Sequence, residues 1–556
     1  MLGLQSKNYS GKVALALSTK IRLNSLQGAE YSSVIRCKHG SSFKFDGIFK
    51  RKHFAVRSRT ENIVGLHSQT TISMTETQKL MYEHAKMIIQ AGITAVDPCI
   101  AIKSILTAKA GISLVVDDPS LGVRHTYNAE NYDNVLIIAF GKASAAMAIT
   151  ACELAKQAFP GLETSGVVIV KDDHASEKDL KDLQRYNVIV REASHPIPDE
   201  RGVEASKLIL EKVIDAKERT LVLCCISGGG SALFCLPRPP LTLNDLAKVN
   251  KVLQSSGMDI TKINVIRKKL ELGKGGRLAV AAYPATVCSL VLSDIIGDPL
   301  DLIASGPTVP DDGSTWQDAS NLIQKFGLHS KLPSTVIKMV QDGVNGELSD
   351  TPKSSHAAFS TKQQDSTSNL CETILVGNNE KAVMAAAEEA SKLGYNAVVL
   401  GTRIDGEARH VGRVYANMAA QLAAGKKRPF QMADLPAALI AGGETTVTLP
   451  VDNEGKGGRN QELGLAAALC LQENDLQTVT IASVGTDGTD GPTDAAGVIV
   501  DSNTVQRTEM SANDALNKHD AYNFFDSISQ NEDYPPLLKT GATGTNVADI
   551  AVILVR

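Results

Sequence analysis

Short apolar runs without polar alternation recur along the chain. The run at 221–226 reads Leu-Val-Leu-Cys-Cys-Ile, which is typical of a strand that helices cover on both faces. Further strands are predicted at 135–140, 166–170, 187–192, 286–292, 373–376, 396–400, 437–441, 479–484 and 550–555. Segments with helical periodicity separate many of them, so the pattern predicts an α/β fold with a mostly parallel, Rossmann-like sheet.

Capping signals mark the first two predicted helices. Thr75 and Gln78 have the spacing of a capping box at the start of an amphipathic segment. Asp97 followed by Pro98 supplies an N-cap and a first-turn proline for the second helix. His84 lies on the apolar face of the first helix, and we interpret it as a packing residue rather than a ligand.

The distribution of polar residues divides the chain into segments. At 556 residues the chain exceeds the size of one hydrophobic core. The stretch 343–370 is rich in Ser, Thr, Gln, Asp and Lys, a composition typical of a linker or a surface insertion. We therefore predict an N-terminal α/β lobe at 75–342 and a C-terminal α/β lobe at 371–556, preceded by an extension at 1–74.

Glycine-rich loops follow two of the predicted strands. Glycine lets backbone N–H groups approach an anion closely, and ligands of open parallel sheets bind beyond the carboxyl ends of the strands. We interpret both loops as nucleotide-binding, although a tight turn without a ligand is an equal alternative for the first. The residues are Ser227, Gly228, Gly229, Gly230 and Ser231 in the first loop, and Gly442, Gly443 and Glu444 in the second.

Lys142 and His195 are candidate site residues at two other strand ends. Lys142 begins the helix after 135–140, where a positive charge opposes the helix dipole unless it faces an anion. His195 precedes Pro196, and Pro198 follows two residues later. A histidine held in such a stiff loop suits proton transfer or carboxylate recognition, with a structural turn as the alternative.

Aspartates that follow strands are candidate magnesium ligands. Asp294, Asp487 and Asp490 all lie just beyond predicted strands, and Mg²⁺ is usually held by one or two carboxylates plus phosphate oxygens. A different charged cluster, formed by Arg267 and the two lysines that follow it, lies in a predicted helix. A solvated helix face is sufficient to explain this basic cluster.

Composition narrows the functional classes. The chain is 43% hydrophobic and 21% charged, and no apolar run approaches the ~20 residues that span a bilayer, so we expect no membrane partner. An aromatic content of 4% and a formal net charge of -4 disfavour nucleic acid as a partner. The nine cysteines are scattered and predict buried thiols in a reducing compartment rather than a zinc site or disulfides.

The N-terminal extension differs in charge from the rest of the chain. Residues 1–75 contain twelve Lys or Arg and three acids, and the first 29 residues contain no acid. This composition, with scattered serines, is typical of a mitochondrial transit peptide. A disordered basic tail or a wrongly assigned start codon is the alternative, and the expected location is then the cytoplasm.

The candidate residues together indicate phosphoryl transfer. Its catalysis depends mostly on positioning and on charge neutralisation by N–H groups, cations and Mg²⁺. Lys142 and Arg459 supply cations, the glycine loops supply N–H groups, and the aspartates supply metal ligands. The residues alone therefore predict an α/β enzyme that acts on phosphate groups, without naming its substrate.

A set of ordered motifs extends this prediction to a family. Over about 78–556 the chain resembles the class II glycerate kinases, in which an N-terminal α/β lobe (DUF4147) joins a C-terminal MOFRL domain and the active-site cleft lies between them. The motifs are Gly141-Lys142-Ala143, Ser194-His195-Pro196-Ile197-Pro198-Asp199, Ser227-Gly228-Gly229-Gly230-Ser231, Leu292-Ser293-Asp294, Ser305-Gly306-Pro307-Thr308, Gly442-Gly443-Glu444-Thr445, Gly457-Gly458-Arg459-Asn460-Gln461-Glu462, Gly485-Thr486-Asp487-Gly488-Thr489-Asp490-Gly491 and Gly544-Thr545-Asn546. The chain departs from the expected pattern at Lys269 and Glu271.

The resemblance implies an activity and a set of residue roles. It implies ATP- and Mg²⁺-dependent phosphorylation of D-glycerate, at the 2- or the 3-hydroxyl, in carbon metabolism linked to serine, glyoxylate and fructose. We expect a monomer or a homodimer that binds only small molecules. Lys142 and Arg459 are the implied catalytic residues. The expected substrate-binding residues are His195, Asn460, Asp487 and Asp490, and the expected metal ligands are Asp294 and Asp487.

A specific hypothesis for the site follows, together with two rivals. Arg459 holds the glycerate carboxylate, while Lys142 and the amides of 227–231 hold the transferred phosphoryl group. One rival is an NAD(P)H-dependent hydroxypyruvate reductase, which the absence of a G-x-G-x-x-G motif in the strand–helix unit at 135–148 disfavours. The other is a non-catalytic sugar-phosphate-binding module, for which Ser227 and Gly228 are the only support.

Overall fold

In a computed structural model of the chain, the described strands form two six-stranded sheets and a separate three-stranded antiparallel sheet of the first three strands. The predicted apolar runs supply most of the strands of the two six-stranded sheets. The structure describes residues 74–118, 122–360, 370–424, 432–530 and 532–556. Residues 1–73, with the transit-peptide prediction, lie outside the described residues. The strands are β1 (Leu106–Lys109), β2 (Ser113–Asp118), β3 (Val123–Asn128), β4 (Asn134–Phe140), β5 (Glu163–Lys171), β6 (Val188–Ala193), β7 (Thr220–Ile226), β8 (Thr286–Leu292), β9 (Cys371–Gly377), β10 (Asn396–Ile404), β11 (Ala437–Gly443), β12 (Val479–Gly485), β13 (Gly497–Asp501), β14 (Leu537–Leu538) and β15 (Asp549–Val555).

Helices surround both sheets. Thr75 accepts a hydrogen bond from the Gln78 amide, so the predicted capping box begins the first helix, and Asp97 caps the second. The helices are α1 (Glu76–Ala95), α2 (Pro98–Ile105), α3 (Ser144–Ala158), α4 (Glu177–Gln184), α5 (Glu200–Ile214), α6 (Gly230–Leu233), α7 (Leu243–Gln254), α8 (Ile260–Leu270), α9 (Arg277–Ala282), α10 (Trp316–Lys325), α11 (Ser334–Val344), α12 (Asn379–Lys392), α13 (Ala408–Ala423), α14 (Arg459–Glu473), α15 (Ala512–Asn517) and α16 (Ala521–Ser529).

The first sheet is parallel throughout. Its strand order is β6-β5-β4-β7-β8-β9, and β7 is buried along its whole length, as its unbroken apolar run predicted. Chain order runs outward from β4 on one side and from β7 on the other. A topological switch point therefore lies between these two strands, and ligands of doubly wound sheets bind at such points. The loops after β4 and β7 both lie there.

The second sheet is mixed, with the order β10-β11-β15-β12-β13-β14. Strands β10 and β11 run parallel, whereas β15 runs antiparallel to both of its neighbours, β11 and β12. The start of β15 therefore lies at the same edge as the ends of β11 and β12. In this register Asp549 is opposite both Gly443 and Gly485. The predicted α/β class of both sheets is confirmed.

The two sheets share a hydrophobic core. One buried cluster contains Leu223 of the first sheet and Ile550 of the second. Helix α1 packs against α12 and β15, and the Tyr82 hydroxyl donates to the Pro535 carbonyl at 2.8 Å. Strand β9, which follows the 343–370 segment, pairs with β8 in the first sheet. Helix α1 therefore packs against the second sheet, although it begins the N-terminal half. Strand β9 follows the 343–370 segment, yet it forms the edge of the first sheet.

Within the described ranges, no single helix has the length and hydropathy to cross a membrane. Helices α1 and α2 pass that test only as a pair bent by 60°, on length and composition alone. Met81, Ala85 and Ile88 of α1 are fully buried inside the fold.

Helix α8 carries buried ion pairs on the side where a solvated face was expected. The Lys268 ammonium lies 3.0 Å from the Asp301 carboxylate. Lys269 is completely buried and pairs with Asp350 at 2.5 Å and with Asp311 at 3.3 Å. Burying an ammonium group costs several kcal/mol unless it is paired, and these carboxylates provide the pairing. The interpretation as a solvated face is wrong for both lysines.

Candidate active site

A cavity of about 400 Å³ lies where the ends of β4, β7 and β8 face the edge of the second sheet. It brings together eight of the residues predicted for the site, although they are distant along the chain. These are Lys142, Gly229, Gly230, Ser231, Asp294, Glu444, Arg459 and Asp487. The remaining lining residues are Ile260, Asn264, Arg267, Ile295, Leu302, Ala304, Asn546 and Ala548.

The glycine loop comprises residues 227–231, of which the first two pack against neighbouring groups and the last three line the cavity. Ser227 is buried, and its hydroxyl accepts a hydrogen bond from the Ala143 amide at 3.1 Å. A Cβ on Gly228 would lie 2.3 Å from a carboxylate oxygen of Asp294, so only glycine fits there. Gly229 has φ of 80° and begins α6, a conformation that glycine adopts without strain. Ser227 and Gly228 therefore support the loop, while its last three residues line the cavity.

Lys142 and His195 both lie next to Gly229. A Cβ on Gly229 would lie 2.9 Å from His195 Nε2 and 3.4 Å from Lys142 Cγ. The Lys142 ammonium has no ion-pair or hydrogen-bond partner among the described residues. Burial and the charge of Lys142 lower the pKa of His195 to about 4. His195 is consequently neutral near pH 7, and it contacts the loop without lining the cavity.

Arg459 is held by two carboxylates at the start of α14. Asp549 accepts hydrogen bonds from Arg459 Nε at 2.6 Å and Nη2 at 2.9 Å, and Glu444 lies 2.9 Å from Nη1. Burial opposes the charge of Arg459, but the hydrogen-bonded Asp549 carboxylate holds its pKa above the ordinary value. This bidentate geometry fixes the guanidinium plane. Asp549 reaches Arg459 because β15 enters the sheet in the antiparallel direction.

Two carboxylates in the cavity have no cationic partner. Within the described part of the chain, no Lys, Arg or His lies within salt-bridge distance of Asp294 or Asp487. Burial raises the pKa of the Asp294 carboxyl, and the nearby charge of Lys142 opposes that rise. The Asp487 carboxylate accepts hydrogen bonds from the amide and the hydroxyl of Thr489. No group of three or more His, Cys, Asp or Glu suited to a metal occurs among the described residues.

These two carboxylates fit magnesium bound together with a nucleotide. Mg²⁺ bound with substrate phosphates needs only one or two protein carboxylates, and the phosphates and water complete its oxygen shell. Asp294 and Asp487 both line the cavity that the glycine loop and Lys142 also line. The donor set is therefore of the kind that Mg²⁺ prefers, and it carries negative charge that a cation would neutralise.

Besides Ser227, Gly228 and His195, four more predicted site residues lie outside the cavity lining. Asp490 is buried and accepts hydrogen bonds from the amides of Asn460 and Gln461 at 3.0 and 2.8 Å, so it stabilises the start of α14. Asn460 is buried and donates to Asp490, while its carbonyl oxygen accepts from Ser483 at 2.6 Å. Gly442 and Gly443 pack against backbone and side-chain atoms of neighbouring elements. Spacing cannot separate these supporting positions from lining ones.

Three polar lining residues were not predicted as site residues. Asn264 and Arg267 lie on α8 with Ile260, at the i, i+4, i+7 spacing that defines one helix face. That spacing is visible in the sequence, but periodicity does not show which element the face meets. Asn546 lines the cavity from the loop before β15, in the Gly544-Thr545-Asn546 motif noted above.

A second cavity of about 690 Å³ adjoins the first. Both cavities have Glu444 and Arg459 in their linings. The larger cavity is lined mainly by the segment after β11, the glycines before α14, and His519. Its floor contains Glu462, which is buried and pairs with Arg409 at 2.7 Å and His519 at 2.8 Å. Arg459 therefore stands between a small charged cavity and a larger, more apolar one.

Comparisons with known proteins agree with this arrangement. The family described as domain of unknown function DUF4147 matches residues 84–341, and the MOFRL family matches residues 437–549. A protein named D-glycerate 2-kinase from Thermotoga maritima is 39% identical over 79% of this chain and 94% of its own length. A protein from Agrobacterium vitis, named putative hydroxypyruvate reductase, is 38% identical over 76% of this chain and 99% of its own. A crystal structure titled glycerate kinase from Thermotoga maritima superposes with a TM-score of 0.69 and 36% identity, covering 86% of this chain and all of that one.

The fold and the cavity define a phosphotransferase of the α/β class, because glycine loop, cations and carboxylates meet at a topological switch point. The matches to the two family models and to the relatives cover most of the chain, and they identify the family of this phosphotransferase. The chain belongs to the glycerate kinase family that combines a DUF4147 domain with a MOFRL domain.

Proposed function

We propose that this protein transfers the γ-phosphoryl group of ATP to D-glycerate. The observation that carries the proposal is the convergence of Lys142, the glycine loop, Arg459 and two unpaired carboxylates on one cavity. Phosphoryl transfer needs cations and N–H groups around the transferred group, and a metal that neutralises its charge. The name of the Thermotoga relative, D-glycerate 2-kinase, supports 2-phosphoglycerate as the product.

We propose that the triphosphate lies in the smaller cavity and the nucleoside in the larger one. At about 400 Å³ and about 690 Å³, the two volumes fall within the usual range of ligand pockets, roughly 300–1,000 Å³. Arg459 stands between them and is positioned to stabilise negative charge on the transferred group. Lys142 and the turn at Gly229 would hold the same group from the first sheet.

Asp294 and Asp487 would hold the magnesium ion of the nucleotide. When bound, the ion would neutralise charge on the phosphate oxygens and orient them. The protein's contribution is to hold these two carboxylates in fixed positions. Gly228 packs directly on Asp294, so the position of this carboxylate is coupled to the glycine loop. The Lys142 ammonium would add positive charge next to the phosphate groups in the same cavity.

Removal of the two catalytic cations tests the proposal. We expect Lys142→Ala and Arg459→Ala each to lower kcat by at least about 100-fold with D-glycerate and ATP-Mg²⁺, because they act mainly in the transition state. Lys181→Ala, at an exposed position on α4, is the control. Near-normal turnover in both cavity variants would contradict these roles. A ³¹P NMR spectrum of the wild-type product distinguishes the 2-phosphate from the 3-phosphate.

A reductase acting on hydroxypyruvate is the second candidate, because the Agrobacterium relative has that name. The segment after β4, which runs into α3, has Ala143 and Ala146 where a G-x-G-x-x-G motif would have glycines. Oxidation of NADH or NADPH by hydroxypyruvate, measured without coupling enzymes, separates the two activities. Turnover in this assay together with no ATP consumption with D-glycerate would favour the reductase.

We propose that the extension at 1–74 directs the protein to mitochondria. Its support is the charge balance of twelve basic against three acidic residues in 1–75. A fluorescent fusion of the full chain should localise to mitochondria, and a fusion that lacks the extension should remain in the cytoplasm. The same location for both fusions would contradict a targeting role. Mass photometry of the purified protein would distinguish a monomer from a homodimer.

A further inference from the structure

The three cationic side chains that line the smaller cavity differ in their partners. Arg459 is already paired with two carboxylates, Asp549 and Glu444. Lys142 lies against Gly229 of the glycine loop, where we have proposed that phosphate binds. Arg267 lines the same cavity from α8. A substrate carboxylate and a triphosphate need separate cations, so the partners of Arg267 decide which group it can take.

Arg267 has a free guanidinium fork. Its Nε donates to the Asn250 side chain at 2.7 Å, which fixes the orientation of the guanidinium plane. In the described ranges its two terminal nitrogens have neither a carboxylate within salt-bridge distance nor a hydrogen-bond acceptor. Burial lowers the pKa of Arg267 below its ordinary value, yet arginine stays charged near pH 7. The result is a positioned, unpaired cation at the wall of the cavity.

Asn264 provides a second donor one turn earlier on the same helix face. It is 2% exposed and lines the cavity. Its carbonyl oxygen accepts from the Ser305 hydroxyl at 2.8 Å, and Ser305 in turn lies 2.7 Å from the Ser231 hydroxyl. The Asn264 amide nitrogen has no acceptor within the described part of the chain. This hydrogen-bond chain connects the donor pair to the end of the glycine loop.

The rest of α8 is anchored so that these two donors keep their positions. Lys268 and Lys269, the next residues after Arg267, are buried in ion pairs with Asp301, Asp311 and Asp350. The helix is therefore fixed on its opposite side, and Arg267 does not need to stabilise it through an ion pair of its own. A guanidinium fork with an adjacent amide donor matches the planar geometry of a carboxylate.

We propose that Arg267 and Asn264 bind the carboxylate of the hydroxy acid substrate and so determine its specificity. The proposal rests on the proposed kinase function and replaces Arg459 as the carboxylate ligand. The carboxylate lies against α8, and the hydroxyl groups point toward the Gly229 turn and Lys142. Arg459, held in place by Asp549 and Glu444, keeps the role toward the phosphoryl group proposed above. Substrates without a carboxylate, such as glycerol or glyceramide, lack the group that this pair recognises.

Steady-state kinetics with two substrates tests the proposal. We expect Arg267→Met to lower kcat/KM for D-glycerate by about 100-fold or more, because a charge-assisted bidentate contact is lost, while KM for ATP changes less than about threefold. Arg267→Lys keeps the charge without the fork and should recover only part of the loss. Lys262→Met, at an exposed position on the same helix that pairs with Asp259, is the control and should behave as wild type.

Specificity provides a readout that a purely structural role would not change. The wild type should prefer D-glycerate over glyceramide by a large factor, and Arg267→Met should lose most of that preference. Added guanidinium chloride at millimolar concentration should partly restore glycerate turnover in Arg267→Met. Asn264→Asp keeps the acceptor for Ser305 but places a negative charge beside the substrate carboxylate, so it should raise KM for glycerate by a larger factor than KM for ATP.

The outcomes separate this inference from the proposed function. If the wild type does not phosphorylate D-glycerate at all, the kinase proposal itself fails. If the wild type is active, and Arg267→Met folds with an unchanged melting temperature and keeps both its KM for glycerate and its preference over glyceramide, the carboxylate assignment is wrong. If Arg267→Met does not fold, Arg267→Lys and Asn264→Asp decide by the same measurements.

Discussion

The ion pair between Arg459 and Asp549 connects the second sheet to the cavity, and replacing Asp549 tests whether this sheet positions Arg459. Asp549→Asn keeps the shape of the side chain and removes its charge. In the native structure Arg459 contacts both oxygens of Asp549, at 2.6 and 2.9 Å. Asparagine can accept only one of these hydrogen bonds and carries no charge. Of the two carboxylates that pair with the guanidinium, the change leaves Glu444.

The size of the effect follows from the burial of the pair. Breaking a buried ion pair from one side costs about 3–5 kcal/mol. The Asp549 side chain is 10% exposed, whereas Arg459 is 33% exposed and keeps Glu444, so solvent screening reduces the expected loss to about 2–3 kcal/mol. An unfolding entropy of about 2 cal/mol/K per residue gives about 1 kcal/mol/K for the unit Thr70–Arg556. The melting temperature should therefore fall by about 2–3 °C.

Activity should fall more than stability. Arg459 would no longer be fixed in one orientation, and misplacement of a group that acts in the transition state costs about 100-fold in rate. The assays are thermal unfolding, followed by fluorescence, and kcat/KM with D-glycerate and ATP. Asp342→Asn breaks the exposed ion pair with Lys338 and should change neither quantity appreciably. A wild-type melting temperature and wild-type kcat/KM in Asp549→Asn would refute the reasoning.

Three further predictions concern packing, buried charge and pH. Gly92→Ala in α1 would place a Cβ 2.8 Å from the Ile550 side chain. Overpacking of this kind costs about 1–3 kcal/mol, so thermal unfolding should show a lower melting temperature while KM stays unchanged. Lys269→Met removes the buried cation that pairs with both Asp311 and Asp350 and should cost about 3 kcal/mol or more, measured as loss of soluble protein and of melting temperature. Burial and a neighbouring lysine lower the pKa of His195 to about 4, below its ordinary 6.5, so the unfolded chain binds more protons between these values. Stability should rise as pH increases from 4 to 6.5, by about 1–2 kcal/mol after allowance for partial exposure. His195→Asn should show a smaller rise in denaturant unfolding over this range, and an unchanged rise would contradict the assignment.

The contrast between Arg459 and Arg267 shows how ion pairing divides similar side chains into different roles. Both guanidinium groups line one cavity, but only Arg459 has carboxylates bound to its terminal nitrogens. The two carboxylates hold the Arg459 guanidinium in one orientation, which suits a group that must be positioned precisely for the transition state. An unpaired arginine has the capacity to bind a singly charged ligand. Substrate recognition and phosphoryl transfer are thus assigned to different helices, α8 and α14.

Local features of the sequence determined the elements and much of the site. The unbroken apolar run at 221–226 predicted a fully buried parallel strand, and β7 is one. The capping residues Thr75 and Asp97 begin α1 and α2 as predicted. The glycine loop was placed at the carboxyl end of a strand, because a loop that follows a strand must lie there. These conclusions need only short-range information, since burial and backbone conformation leave a pattern within a few residues.

Long-range pairing decided what the sequence alone could not. Asp549 faces the site only because β15 runs antiparallel between β11 and β12, and no local pattern records strand direction. Asp490 has the same glycine-rich setting as Asp487, yet it caps α14 while Asp487 lines the cavity. Arg267, Lys268 and Lys269 form one basic cluster in the sequence. In the tertiary structure the two lysines are buried in ion pairs, whereas Arg267 lines the cavity. Periodicity shows that a residue is on a face, whereas the partner of that face depends on contacts between residues far apart in the chain.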